Sequence, residues 1–335
     1  MKRIFSLLLA LALALSLTAC TAPAEKADGG KLQIVTTLFP YYDFARAIAQ
    51  DRADVTLLLS PGREAHSFEP TPLDAVTISE ADVFLYNGGE GEYWVESMLD
   101  AAGEHIAVAS RMMDYVDALN EEYVEGMQGA DGHDHDHEHG SHDDHDHDHE
   151  EDEHDSDEIE YDEHIWTSPK NAVVLCRAVC DAICRADAEN AAFYRANCEN
   201  YCAQLEDLDA RFAALCESAP RRLLIFADRF PMLYFCREYG LDYRAAFHGC
   251  SGDTEPSLAT IKFLIDKVED ENIPVVYTID FGTKKVAAVV SECTGAAIET
   301  LYSMQTVSRA DFDAGETYLT LMERNFEALR KGLNA

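Results

Sequence analysis

Short β-forming runs alternate with helix-period segments along this chain. Leu32 to Thr37 (LQIVTT) reads as a strand, Tyr41 to Gln50 as a helix opened by Pro40, and Val55 to Ser60 as a second strand. A helix over Leu73 to Ser79 and a strand over Ala81 to Tyr86 (ADVFLY) follow. Past the centre the order returns, with strands at Leu223 to Ala227, Tyr243 to Phe247 and Val275 to Ile279, and helices at Pro231 to Glu238 and Ser257 to Glu271. Strands that alternate with helices predict an α/β fold with parallel sheets flanked by helices. Residues echo too: Phe39-Pro40-Tyr41-Tyr42-Asp43-Phe44 is similar to Phe230-Pro231-Met232-Leu233-Tyr234-Phe235, and Glu69-Pro70-Thr71 to Glu255-Pro256-Ser257. The pattern describes one α/β lobe used twice.

Between the halves, residues 187–219 are periodic, charged and free of Gly and Pro, which predicts one long rigid helix with Asp187 as its N-cap. The expected domains are an N-terminal α/β lobe at 31–186, the linking helix at 187–219 and a C-terminal α/β lobe at 220–335. Lobes joined by a stiff connector close on a ligand by modest tilting rather than by a wide hinge swing.

Ahead of the first lobe, Lys2 and Arg3 precede an apolar run from Ile4 to Leu17, and Leu17-Thr18-Ala19-Cys20 ends it. This is the layout of a signal peptide over 1–19 with a lipobox, Cys20 being the lipidated residue and 20–30 a flexible tether. It implies an extracytoplasmic protein anchored to the bacterial cell membrane by its N-terminal lipid. The formal net charge of -37 excludes nucleic acid, whose phosphates it would repel, and makes cations the natural partners.

Residues 131–154 (DGHDHDHEHGSHDDHDHDHEEDEH) contain His133, His135, His137, His139, His142, His145, His147, His149 and His154 among Asp, Glu and Gly. With no apolar surface to offset ordering entropy, the segment is expected to be a disordered loop. Alternating imidazole and carboxylate suits loose, multiple binding of zinc, nickel or copper. A fixed site needs isolated ligands. His66 sits in a loop after the second strand, His164 where the loop rejoins ordered sequence (DEHIWTSP), and Asp228, His248 and Asp280 follow strands of the second lobe. Ligands of open parallel sheets bind beyond the carboxyl ends of strands, so these five converge on one metal site. Cys176, Cys180, Cys184, Cys198 and Cys202 recur every four residues within two helical stretches. Buried small hydrophobes and a disulfide pair both fit that spacing, and the lack of CxxC argues against a thiolate metal site.

Taken in order, the lipobox, His66 with Glu69-Pro70-Thr71-Pro72, Tyr86-Asn87-Gly88-Gly89-Glu90 with Trp94 and Val95, and the His-rich loop make up the first half of a pattern. Asp162 to Pro169 with Asn171, Glu255-Pro256-Ser257, and Tyr318-Leu319 with Asn325 and Leu329 complete it. The whole resembles the zinc/manganese solute-binding lipoproteins of bacterial ABC transporters. That resemblance implies a clamshell with a rigid linking helix and one metal between the lobes, held by three histidines and a carboxylate. His66 and His164 match the first two histidines, and Asp280 the carboxylate. The third histidine is missing: Phe226-Ala227-Asp228-Arg229-Phe230-Pro231 stands where the family carries His-Asp-Ala. Asp228, His248, Glu92 or a histidine of the loop would complete the shell.

The expected function is the substrate-binding component of a zinc importer, a monomer that captures Zn2+ and hands it to a membrane permease. A manganese-binding homologue is the runner-up, and a surface adhesin that uses metal for stability is a further class. A zinc hydrolase is disfavoured, because the chain offers no HExxH, GxSxG or phosphate loop.

Overall fold

The structure is a computed structural model that describes residues 30–63, 68–103, 106–127, 160–249 and 255–334. The first lobe runs β1 (Leu32–Thr36), α1 (Phe39–Ala49), β2 (Ala53–Leu57), α2 (Pro72–Ser79), β3 (Val83–Tyr86), α3 (Val95–Ala102) and β4 (Val108–Arg111). Helices α4 (Pro169–Ala186) and α5 (Ala191–Ser218) follow. The second lobe runs β5 (Leu223–Phe230), α6 (Leu233–Tyr239), β6 (Asp242–His248), α7 (Leu258–Asp270), β7 (Val275–Ile279), α8 (Lys285–Thr294), β8 (Ala297–Leu301), α9 (Arg309–Ala314) and α10 (Tyr318–Leu333). Both sheets are parallel and share one topology, β2-β1-β3-β4 and β6-β5-β7-β8. The fold class is the one the alternating pattern describes.

Burial explains which strands are apolar throughout. Every residue of β7 is buried, so VVYTI carries no polar alternation. The edge strands β4 and β8 are partly exposed, and neither shows in the sequence pattern. Helix α2 starts at a capping box, with Thr71 N–H donating to Asp74 Oδ2 at 2.7 Å and Asp74 N–H to Thr71 Oγ1 at 3.4 Å.

The long helix begins later than its charge pattern implies, since Asn190 rather than Asp187 stands at its N-cap. Asp187 ends α4 and accepts bonds from Asn190 Nδ2 at 2.7 Å and Tyr194 OH at 2.6 Å. It closes the turn between two helices instead of opening one. The helix stops at Ser218, two residues before Pro220, whose ring disfavours helical backbone ahead of it.

The long helix is not the sole tie between the lobes. One apolar cluster runs from Ile34 and Tyr41 of the first lobe through Trp166 and Phe212 to Leu301 and Tyr318 of the second. Buried Asp43 of α1 accepts from Tyr201 OH of α5 at 2.6 Å and from Tyr318 N–H of α10 at 3.0 Å. Trp166 donates its indole N–H to Ser303 O at 2.7 Å, Gly62 N–H reaches Val307 O at 2.8 Å, and Tyr42 stacks on Phe312. Among the described residues no helix is long and apolar enough to cross a membrane.

Candidate metal centre

His164 is 1% exposed and lies just before a short 3-10 turn at Ile165–Thr167. Its backbone N–H donates to Asp162 Oδ1 at 2.8 Å, and its ring Nδ1 lies 3.1 Å from the same oxygen. A carboxylate accepts only, so this contact holds the proton on Nδ1 and makes Nε2 the nitrogen with a lone pair to offer a metal. The Trp166 ring meets the imidazole edge-on, and Thr167 Oγ1 donates to His164 O at 2.8 Å. Burial opposes a charge on the imidazole, but Asp162 first, then Glu121 and Glu163, outweigh it and raise the pKa above the ordinary 6.5.

Two cavities lie beside this turn. One is lined by His164, Arg229, Gly249, Ile279, Ser303 and Gln305, the carboxyl edge of the second sheet. The other is lined by Thr37, Asn87, Glu92, Trp94, Glu163 and Gln305, at the carboxyl edge of the first. Gln305 borders both, so the strand ends of the two lobes meet around residues 163–164. Glycines make the approach close. A β-carbon at Gly89, whose φ is +93°, would collide with the Glu163 carboxylate, and one at Gly249 would come within 3.1 Å of the His164 ring.

The cavity at the edge of the first sheet is acidic. Glu163 accepts from Gly91 N–H at 2.8 Å, and Glu92 accepts from Gly88 N–H at 2.8 Å. Burial pushes the Glu92 carboxyl from an ordinary 4.5 up to about 7, with Glu163 adding to the rise. A raised folded-state pKa favours folding below the unfolded value, and that advantage is lost as pH climbs through about 7. We therefore expect the stability of the metal-free protein, relative to a Glu92→Gln variant, to fall by about 3 kcal/mol between pH 4.5 and 8. Urea unfolding of both proteins across that range checks it, and a constant difference would refute the burial argument.

The remaining candidates separate. Asp280 follows β7, and its Oδ1 accepts from Ser303 N–H at 3.1 Å. Asp228 does not follow β5 but lies inside it, at a register irregularity between Phe226 and Arg229. A β-carbon on Gly282 would collide with its carboxylate, so Asp228 stands against the loop that carries Asp280. His248 is the last residue of β6 rather than one beyond it, and it pairs with Glu121 and groups with Glu160. His164, Asp228 and Asp280 are not among the described sets of three ligands lying within 4.8 Å of one another. His66, the nine histidines from His133 to His154 and Cys20 lie outside the described residues.

Sequence reasoning missed Asp162, Glu121 and Glu160. Asp162 stood in the DEHIW motif, and its i to i+2 spacing from His164 was the available signal. Cys176, Cys180, Cys184, Cys198 and Cys202 are buried free thiols between α4 and α5, and Cys176, Cys198 and Cys202 form the other close set of three. Burial pushes the Cys216 thiol up to about 11 and Cys236 well up, so these two behave as small buried hydrophobes.

Two parallel lobes of one topology, their strand ends meeting around residues 163–164, form the architecture of a two-lobed solute-binding protein. The structure aligns with the Zn(II)-bound ZnuA-like domain of Streptococcus pneumoniae AdcA at TM-score 0.71 and 26% identity, over 91% of this chain and 100% of that one. It aligns with the metal-dependent lipoprotein YcdH of Bacillus subtilis at TM-score 0.72 and 29% identity, over 90% and 100% of the two chains. Residues 34–332 match the family described as ZnuA, zinc-uptake complex component A, periplasmic, and the chain belongs to that family. It is 31% identical to the high-affinity zinc uptake system protein ZnuA of Bacillus subtilis, over 93% of this chain and 91% of that protein. It is also 31% identical to the zinc-binding lipoprotein AdcA of Streptococcus pneumoniae, of which it spans 61%.

Proposed function

We propose that this protein is the zinc-capturing component of an ABC importer, which holds one Zn2+ between its lobes and delivers it to a membrane permease. The observation that carries the reading is His164, buried where the two sheet edges meet, with Asp162 setting its tautomer. Imidazole and carboxylate donors suit zinc better than magnesium or calcium, which take oxygen ligands. Zinc is the cargo here, and the task is binding and release rather than catalysis.

In this reading His66 and His164 supply imidazoles from the first half, and Asp280 with Asp228 supplies carboxylate from the second. The protein works outside the cytoplasmic membrane as a monomer, tethered through a lipid on Cys20. The His-rich loop raises the local zinc supply. Manganese is the competing cargo, favoured to the extent that Asp228 and Asp280 both ligate.

Titration of the metal-free mature protein with zinc and with manganese tests the assignment. Tight stoichiometric zinc binding is expected, with manganese weaker. Protons compete for the imidazoles, and because the His164 pKa is raised, affinity should start to fall above pH 6.5 and keep falling as pH drops. Absence of a tight zinc site at pH 7.5, or a preference for manganese, would overturn the assignment.

A further inference from the structure

Beside the His164 turn, the chain on either side of residues 128–159 is drawn into a neck. Asn120 and Tyr161 form an antiparallel bridge, Glu121 N–H donates to Glu160 O at 2.9 Å, and Asp162 N–H donates to Leu119 O at 2.9 Å. The second lobe clamps it: Tyr234 OH accepts from Leu119 N–H at 3.0 Å and donates to Asp162 O at 2.8 Å. Backbone pairing thus fixes the Glu121 and Glu160 carboxylates side by side. His248, at the end of β6, completes the group, its imidazole paired with Glu121 and its ring 5.1 Å from that of Tyr123.

We propose that Glu121, Glu160 and His248 form a second binding site for a divalent ion of the zinc class, separate from the one at His164. One ligand atom from each lies within 4.8 Å of the other two. Zinc bonds of about 2.0–2.2 Å set ligand atoms roughly 3.4 Å apart in a tetrahedron, so an ion would take the place of the direct Glu121–His248 contact and draw Glu160 in beside it. One imidazole with two carboxylates matches zinc chemistry and leaves a fourth position for water.

Charge supports the same reading. The Glu160 carboxyl is pushed up by burial and then by Glu121, a like-charge conflict that a divalent ion would relieve. Glu160 and His248 are partly exposed, whereas the Glu121 side chain is buried against His248. None of the three lines either cavity beside His164. In sequence, the nine histidines stand between the two sides of this neck, so the group lies at the root of the histidine-rich segment.

Diffraction from crystals of the full mature chain, grown with zinc at pH 7.5 and measured across the zinc edge, tests the proposal. An anomalous peak is expected within bonding distance of His248 and both carboxylates, in addition to one at His164. His248→Gln and Glu160→Gln should each remove the first peak, leave the second, and lower by one the zinc count in native mass spectra. No peak at this group in the wild type, meaning an ion pair of Glu121 and His248 only, overturns the proposal. So does loss of both peaks together in His248→Gln, which would make the two sites one. A peak here with none at His164 would leave this site standing and sink the cleft reading instead.

Discussion

Replacing His164 with alanine is expected to lower zinc affinity about a thousandfold, equivalent to roughly 4 kcal/mol. The imidazole is buried and aimed by Asp162, so its removal deletes a preformed ligand. Asp162→Asn is the finer probe. The amide keeps the volume but can present N–H to Nδ1, which drives the ring proton to Nε2, the nitrogen needed for the metal. Loss of an outer partner of this kind costs about 10–100-fold in affinity. Competition against a chelator of known zinc affinity measures both variants. Unchanged affinity in His164→Ala would mean the ion is held elsewhere.

The largest loss of stability is expected from Asp43→Ala, at about 4 kcal/mol. Asp43 Oδ2 receives both the Tyr201 hydroxyl and the Tyr318 backbone N–H, so a single oxygen joins α1, α5 and α10. Burial raises its pKa, while the Tyr201 and Tyr318 bonds pull the other way. Alanine removes the acceptor and leaves two buried donors without it, each costing about 1–3 kcal/mol. Asp43→Asn retains an acceptor oxygen and should lose only about 1 kcal/mol. Urea midpoints for the two variants separate these outcomes, and a loss below about 1 kcal/mol for alanine would show that the three helices do not depend on this knot.

The sequence carries the fold wherever burial dictates residue type. β7 is apolar because both its faces are covered, and the duplicated strand and helix order is visible because each lobe repeats the same layering. Where exposure relaxes that demand the signal vanishes, as in the edge strands β4 and β8. Asp187 looks like a helix start because aspartate favours N-caps, yet the same hydrogen-bonding capacity serves equally at the turn it occupies. Of the metal candidates, His164 was singled out by its position after the His-rich segment, and the structure buries it where the strand ends meet. Its orientation by Asp162 was not, since that depends on a local turn. Glu121 and Glu160 look like two more acids in an acidic chain, and only the backbone pairing of the neck brings them to His248.

The rivets across the lobes also bear on how an importer would recognise cargo. Trp166 bonded to Ser303, Gly62 to Val307, and Tyr42 stacked on Phe312 lash the jaws together beside the pocket. Opening the molecule widely would tear these contacts out at once. In the proposed role, the angle between the halves would therefore change little as cargo comes and goes.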